Sequence, residues 1–349
     1  MPGDLTVRVA RQPVAFVHRP LRTRLITAVA GFGLLAAVVC LLAPLAGSSS
    51  ISLTRAFDRS IPFADNVDAQ IFFIARLPRV LAAALIGATL AAAGVVFQAL
   101  LRNPLADPYT LGISAGASAG AMLAIITGTT VALIPPVPVM SLVGAALGAV
   151  IVYRLATLRR SPLSTSVLLL AGVTLNSFFG AAVMGLQYIA DFTQIARAAR
   201  WLMGDLDVGS FRPIVATLPL IVPAALLFAV LPASLNLLSL GSDAAASRGV
   251  DVQRAQRLAF LGAALATAGA VSLAGPVGFV GIIVPHVVRL LVGGDHRVLL
   301  PAAALAGAAF LVSCDLIART AIATVQLPVG IITAVIGGPF FLWLLVRKG

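Results

Sequence analysis

Few residues of this 349-residue chain have the types and spacing that catalysis or metal binding requires. The sequence has no Walker A loop, no HExxH motif and no paired carboxylates at helical spacing. The histidines His18, His286 and His296 are too dispersed for a metal site. Cys40 and Cys314 lie inside apolar runs, where we expect small buried side chains. The sequence therefore predicts no catalytic site, no metal site and no cofactor in this chain.

Charged residues next to long apolar runs are the first candidates for binding. Arg76 and Arg79 lie in an RLPR segment that the orientation derived below places outside the membrane. Outward-facing arginines suit binding to an acidic surface, and solvated interfacial arginines are the alternative. Asp315 and Arg319 have the spacing of an i,i+4 ion pair near the outer end of another apolar run.

Two polar segments interrupt the apolar pattern on the opposite, cytoplasmic side. In the segment RNPLADP, two prolines fix backbone turns, and Asn103 can cap a turn or line an opening. Ser164, Thr165 and Ser166 enter an apolar run, where serine and threonine also suit a helix N-cap. The first segment is therefore a candidate for lining an opening at this side.

A third cytoplasmic segment, LGSDAAASRGV at residues 240–250, predicts a short helix. Ser242 or Asp243 would begin this helix and Gly249 would end it. A short helix lying parallel to the membrane between two spans is well suited to docking a cytoplasmic partner.

Transmembrane helices must position these segments. The chain is 60% apolar and 10% charged with a mean hydropathy of +1.06, whereas about 25% of residues are charged in soluble domains. A membrane explains the net charge of +12 better than nucleic acid does, because the basic residues lie between long apolar runs. Runs of membrane-spanning length predict ten helices, at 25–46, 81–101, 111–127, 138–158, 166–189, 213–233, 258–274, 277–292, 298–317 and 329–346.

The distribution of basic residues orients these ten spans. With the N-terminus in the cytoplasm, 16 arginine and lysine residues lie inside and 8 outside. Both termini are then cytoplasmic, residues 1–24 form a cytoplasmic segment, and residues 25–349 form one membrane domain. The first span is predicted to be retained, because its apolar stretch exceeds the usual length of a signal peptide core. The membrane interior holds no charge away from span ends, which indicates that another subunit supplies the energy.

An internal repeat indicates two related halves. The sequence IGATLAAAGVVFQ at 86–98 and LGAALATAGAVSL at 261–273 are identical at seven of thirteen positions. The predicted orientation places the two copies in opposite directions across the membrane, as in the inverted repeats of transporters; chance similarity of two Ala/Gly-rich helices is the alternative. Small residues in both copies, including Gly87, Gly94, Gly262 and Gly269, suit close helix packing.

The chain resembles the permease subunits of ATP-binding-cassette importers for iron-siderophore complexes, haem and cobalamin. The resemblance extends from residue 76 to 345 and rests on five stretches: RLPRVLAAALIGATLAAAGVVFQALLRNPLADPYTLGISAGAS, LSTSVLLLAGV, LNLLSLGSDAAASRGV, GPVGFVGIIVPHVVRLLVGGDHRVLLP and LPVGIITAVIGGPFFLWLL. It implies an all-α homodimer of ten-helix subunits in the bacterial inner membrane. It also implies two cytoplasmic ATPase subunits, which would use ATP and Mg²⁺, and a periplasmic substrate-binding protein.

The resemblance also implies roles for particular residues. Arg76, Arg79 and Arg319 match arginines that pair with acidic residues of the binding protein. Cytoplasmic gate positions are matched by Asn103, Leu105, Thr165 and Ser166. The coupling helix that enters a cleft of the ATPase is matched by Ser242, Asp243, Ala244, Ala245, Ala246, Ser247, Arg248 and Gly249. The expected cargo is an iron chelate, either a ferric siderophore or haem, with cobalamin or another corrinoid as the alternative. An ion-coupled secondary carrier is a further alternative.

Overall fold

The structure is a computed structural model that describes residues 20–47, 49–128, 136–157, 164–322 and 325–348. Regular structure within these residues is helical and contains no strand, so the all-α prediction is confirmed. The α-helices in chain order are α1 (Leu21–Leu42), α2 (Leu53–Ala56), α3 (Val67–Gln70), α4 (Leu77–Leu101), α5 (Ile113–Thr127), α6 (Pro136–Thr157), α7 (Thr165–Ile189), α8 (Phe192–Leu202), α9 (Arg212–Val230), α10 (Pro232–Leu238), α11 (Ser242–Ala246), α12 (Val252–Ala274), α13 (Val280–Val292), α14 (His296–Thr320) and α15 (Val329–Lys348).

Each of the ten predicted spans coincides with one of these helices. Seven described helices are long and apolar enough to cross a membrane, and three shorter apolar stretches lie in α5, α13 and α15. Helix α4 is longer than predicted, because α3 and a π-helical turn at Ile71–Arg76 continue directly into it. Helix α1 begins at Leu21, inside the predicted cytoplasmic segment 1–24, and residues 1–19 of that segment lie outside the described residues.

The two copies of the repeat form the centre of the molecule. They lie in α4 and α12, which are the most deeply buried of the seven span-length helices and pack against each other. A Cβ atom added at Gly94 would lie 2.0 Å from the carbonyl oxygen of Gly281, and one at Gly87 would lie 2.1 Å from that of Gly307. The backbones of α13 and α14 therefore touch α4, as the small residues predicted.

The short segments that precede α5 and α13, one of them a 3₁₀-helical turn at Pro108–Leu111, meet inside this helical bundle. Helices α5 and α13 have 15 and 13 residues, so at 1.5 Å per residue each is shorter than a bilayer's hydrocarbon core of about 30 Å. The backbone N–H of Val277, before α13, donates a hydrogen bond of 2.9 Å to the Tyr109 hydroxyl, before α5. The Asn176 side chain donates to the Tyr109 carbonyl at 3.1 Å. Backbone buried inside a helix bundle requires such internal partners, because an unpaired buried N–H or carbonyl group is costly.

Candidate functional site

Three of the predicted site residues form a buried ion-pair cluster at the predicted outer end of α4 and α14. Asp315 is fully buried and forms ion pairs with two guanidinium groups: its Oδ1 accepts a hydrogen bond of 2.8 Å from Nε of Arg79, and its Oδ2 lies 2.9 Å from Nε of Arg319. Nη1 of Arg79 also donates to Oε1 of Gln326 at 2.8 Å. We call Arg76, Arg79, Asp315 and Arg319 the arginine cluster. Charge-assisted hydrogen bonds of this kind are stronger than neutral ones.

Arg76 and Arg319 attach the segment after α1 to this cluster. The Arg76 guanidinium donates to the carbonyl oxygens of Pro44 at 3.0 Å and Leu45 at 3.2 Å, and also to that of Ser49. The Arg319 guanidinium donates to two further carbonyl oxygens in the same segment, at 3.2 and 3.3 Å. The two arginines therefore donate hydrogen bonds to backbone carbonyl groups at the end of α1 that have no N–H partner within the helix.

These contacts correct the expectation that the arginines point freely outward. Arg76, Arg79 and Arg319 are only 5%, 6% and 4% exposed, because residues 43–47, Ser49 and the ends of α4 and α14 enclose them. The predicted i,i+4 pair of Asp315 and Arg319 is confirmed. The partnership of Arg79 with Asp315 was missed, since the two residues are 236 positions apart and no local pattern connects them. Docking of an acidic partner at this cluster stays a prediction.

The other end of α4, about 36 Å away at 1.5 Å per residue, borders a polar cavity. This cavity has a volume of about 290 Å³, and we call it the gate cavity. The structure brings together here two predicted gate residues, Thr165 and Ser166, and the first residue of the predicted coupling helix, Ser242. Arg102, Ser164, Leu100, Leu238 and Gln256 complete the lining.

Arg102 is the residue at this site that sequence reasoning missed. It ends α4 in the left-handed conformation, with φ 49°, where glycine is usual. Its backbone N–H donates to the Ala99 carbonyl at 3.3 Å, and the next N–H, of Asn103, donates to that of Gln98 at 3.1 Å. This geometry turns the Arg102 side chain toward the coupling segment, with Nη1 3.6 Å from where a Cβ atom of Gly241 would lie.

The remaining gate residues play local structural parts next to the cavity. The Asn103 side chain accepts a hydrogen bond of 3.0 Å from the Leu105 N–H, so Asn103 caps the turn as the sequence allowed. Neither Asn103 nor Leu105 lines the gate cavity. Ser164 is the N-cap of α7 and accepts from the Val167 N–H, which confirms the capping alternative for that residue. Thr165 and Ser166 form the first turn of α7 and face the cavity.

The predicted coupling helix is present but shorter than expected. Helix α11 spans Ser242–Ala246, and Gly249 follows in a turn with φ +81°. Capping by the Ser242 or Asp243 side chain was a wrong prediction, because Gly241 occupies the N-cap position without a side-chain hydrogen bond. Ala245 is fully buried and anchors the helix to the bundle. The residues from Ala246 to Gly249 are exposed.

A buried carboxyl lies in the loop between α4 and α5. It belongs to Asp107, which follows Asn103 and Leu105 in the chain and is 8% exposed. Its Oδ1 accepts a single side-chain hydrogen bond, from the Tyr109 N–H at 3.3 Å. Burial raises the pKa of Asp107 to about 7, although the hydrogen bond from Tyr109 acts in the opposite direction.

The two described histidines lie in separate structural positions, and His18 lies outside the described residues. The His286 ring packs edge-on against Phe340, with ring centroids 6.3 Å apart. Nδ1 of His296 lies 2.7 Å from Oδ1 of Asn236, a contact that connects the start of α14 to α10. The described residues contain no group of three histidine, cysteine or acidic side chains that could hold a metal ion.

Comparison with known proteins identifies relatives along almost the whole chain. The FecCD transport family matches residues 34–347. The cobalamin import system permease protein BtuC of Halobacterium salinarum is 43% identical over 295 residues, which cover 84% of this chain and 78% of that protein. The hemin transport system permease protein HmuU of Yersinia pestis is 40% identical over 279 residues, covering 78% of this chain and 82% of that protein.

A solved structure shares the fold. It is described as an inward-facing conformation of a metal-chelate type ABC transporter, and it superposes with a TM-score of 0.80 at 31% sequence identity. The superposition covers 92% of this chain and 99% of that chain.

Proposed function

Because the chain belongs to the FecCD transport family, we propose that it is the permease subunit of an ATP-binding-cassette importer for an iron chelate. The cargo is a ferric siderophore or haem, and the membrane is the bacterial inner membrane. The observation that carries this proposal is the gate cavity, where α4, the first turn of α7 and the coupling segment meet. A partner that moves the coupling segment would act directly on residues at the end of two membrane-spanning helices.

The energy for transport comes from two cytoplasmic ATPase subunits, which bind ATP and Mg²⁺. Their docking site is the exposed side of the coupling segment, from Ala246 to Gly249, while the buried Ala245 transmits the load to the bundle. Closure of the ATPases moves α11, and Ser242 and Arg102 pass this motion to Thr165 and Ser166 across the gate cavity. Asn103 and Leu105 keep the turn after α4 in shape during this motion.

The periplasmic binding protein docks at the opposite end, over the arginine cluster. Arg76, Arg79 and Arg319 carry three positive charges against the single carboxylate of Asp315, so the cluster leaves a net charge of +2. A positive field of this kind steers an acidic surface toward the outer end and fixes its orientation. The permease works as a homodimer, with the translocation path between the two copies.

The same permease importing cobalamin or another corrinoid is the second candidate. Two relatives of nearly equal similarity favour different cargoes, since one is a hemin permease and the other a cobalamin permease. The cargo therefore depends on the binding protein at least as much as on this chain.

ATP-dependent uptake into proteoliposomes tests the proposal. The chain is reconstituted with its ATPase and binding protein, and haem, a ferric siderophore and cobalamin are offered in competition. Uptake of haem or the siderophore that stops without ATP supports the iron-chelate importer, and uptake of cobalamin alone replaces it with the second candidate. Uptake that ignores ATP and follows an imposed ion gradient would overturn both in favour of an ion-coupled secondary carrier.

A further inference from the structure

An apolar groove separate from the gate cavity runs along the outside of the helix bundle. It has a volume of about 530 Å³ and is lined by residues of α1, α4, α9, α10, α12 and α14. Alanines on four of these helices, among them Ala88, Ala225 and Ala304, form much of its wall. Their short side chains leave space between helices that larger residues would fill.

The groove is open at the outer surface of the helix bundle. Ala225 and Ala229 on α9 are exposed, and Leu85 and Ala88 on α4 are half-buried at the bottom of the groove. The hydroxyl of Thr89, the polar uncharged residue of the wall, donates to the Leu85 carbonyl at 2.6 Å and is thus already satisfied. An apolar space of this kind at membrane depth is unfavourable for water and suits an acyl chain.

One end of the groove carries a positive charge. Arg297, in the first turn of α14, is the charged residue of the lining; its exposed side chain interacts electrostatically with Asp295 but forms no direct ion pair among the described residues. It lies at the end of α14 opposite Arg319, and therefore at the predicted cytoplasmic end.

The neighbouring charges leave this end net positive. Arg24 of α1 donates to the Val292 carbonyl at 2.6 Å. The carboxylate of Asp295 accepts from the Asn236 side chain at 2.7 Å and from the Arg297 N–H at 3.0 Å. This end of the groove thus has two guanidinium groups and one carboxylate, and that carboxylate already accepts hydrogen bonds from uncharged donors.

We propose that this groove binds an anionic phospholipid, with an acyl chain against the alanine wall and the head-group phosphate at Arg297. Basic pockets between helices at the cytoplasmic side hold phospholipid head groups in this way, and a guanidinium binds phosphate through charge-assisted hydrogen bonds. The lipid would connect α1 to α9 and α14. Helix α1 needs such support, because it is the least buried of the seven span-length helices.

Native mass spectrometry of the purified full-length chain tests this site. The chain is exposed in detergent to dioleoyl phosphatidylglycerol or to dioleoyl phosphatidylcholine, which differ in net charge and share the same acyl chains. We expect the chain to retain phosphatidylglycerol about fivefold better, since one surface arginine contributes about 1 kcal/mol toward an anionic lipid. Equal retention of the two lipids by the unmodified chain would overturn the proposal without any variant.

Two variants with matched controls locate the binding. Arg297→Gln should lower retention of phosphatidylglycerol to the level of phosphatidylcholine. Arg254→Gln, which removes an exposed arginine from the first turn of α12 and leaves the groove intact, should change nothing. Ala225→Phe should fill the groove and reduce retention of both lipids, whereas Ala37→Phe on an exposed side of α1 should not.

The variants can also contradict the proposal. Equal losses from Arg297→Gln and Arg254→Gln would mean that phosphatidylglycerol responds only to total charge. Unchanged lipid retention in Ala225→Phe, together with an altered oligomeric state on size-exclusion chromatography, would assign the groove to a second copy of the chain. Either result would overturn a lipid site at this position, and neither depends on transport activity.

Discussion

The buried carboxyls near the two ends of α4 differ in the partners that surround them. At the predicted outer end Asp315 has two guanidinium partners, and these arginines also hold the segment that follows α1. At the predicted cytoplasmic end Asp107 has one backbone N–H, and the gate cavity beside this loop is open and polar. Ion pairs and hydrogen bonds that connect α4, α14 and the segment after α1 rigidify the backbone around them, whereas a carboxyl with a single hydrogen-bond donor leaves room for rearrangement. We infer that the outer end is a fixed platform and that the cytoplasmic end is the part that moves.

The largest effect is expected when the fixed end loses its carboxylate. Asp315→Asn leaves the buried guanidinium groups of Arg79 and Arg319 without a counter-charge, and removing one partner of a buried pair costs about 3–5 kcal/mol. Thermal unfolding of the purified chain in detergent measures this loss. Asp205→Asn is the control: its pair with Arg200 is exposed and 3.7 Å long, and such pairs contribute about 0–1 kcal/mol. Equal stability of the two variants would show that the arginine cluster does not hold the outer end.

If the outer end of α4 is fixed and the cytoplasmic end moves, α4 itself must be rigid. Gly94→Ala places a Cβ atom against the backbone of Gly281, so α13 must shift or the chain must unfold more easily. Overpacking of this kind costs about 1–3 kcal/mol. Gly31→Ala on α1 meets nothing within 4 Å and should be neutral or stabilising by up to about 1 kcal/mol through helix propensity. If Gly94→Ala unfolds at the same temperature as Gly31→Ala, α4 is not held as tightly as the contacts indicate.

The sequence predicted the fixed and movable parts unequally. Apolar runs and basic flanks located all ten spans, because a bilayer demands about 20 apolar residues wherever a helix crosses it. The glycines at 87 and 94 predicted close helix packing, because small side chains let two helix backbones approach each other. The partnership of Arg79 with Asp315 depends on tertiary packing over 236 residues, and the buried state of the arginines depends on the segment after α1.

At the cytoplasmic end, sequence predicted the segments but not their meeting place. Thr165, Ser166 and Ser242 were singled out as polar interruptions of apolar runs, while Arg102 was not chosen because an arginine after a span is usual on that side. Its left-handed backbone, a signal that sequence cannot show, turns the side chain toward Gly241.

At the cytoplasmic end, substitutions on the exposed side of α11 should weaken partner binding without lowering the stability of the chain. Ala246→Trp adds a bulky ring to the exposed side of α11, so thermal unfolding of the chain alone should be unchanged. Association with the ATPase subunit and ATP-driven uptake should each fall about tenfold, equivalent to about 1.4 kcal/mol of lost contact. Gln253→Trp, exposed at the start of α12 outside the coupling segment, should preserve both. Normal uptake by Ala246→Trp would remove α11 from the coupling pathway.

The last expected effect concerns the carboxyl at the movable end, and its sign distinguishes it from the carboxyl at the fixed end. With a folded-state pKa of about 7 against an ordinary value of 3.8, Asp107 binds a proton on folding between these pH values. Stability should therefore be greatest at low pH and should fall as the pH rises from about 4 to about 7.

Asp107→Asn keeps the acceptor for the Tyr109 N–H and removes the charge, so it should raise the melting temperature at pH 8 by a few degrees and flatten the pH dependence. Melting temperatures from pH 4.5 to 8 measure this, with the exposed Asp58→Asn as the control. Parallel curves for the parent chain and Asp107→Asn would mean that Asp107 finds a compensating partner, and the two ends of α4 would then be equally fixed.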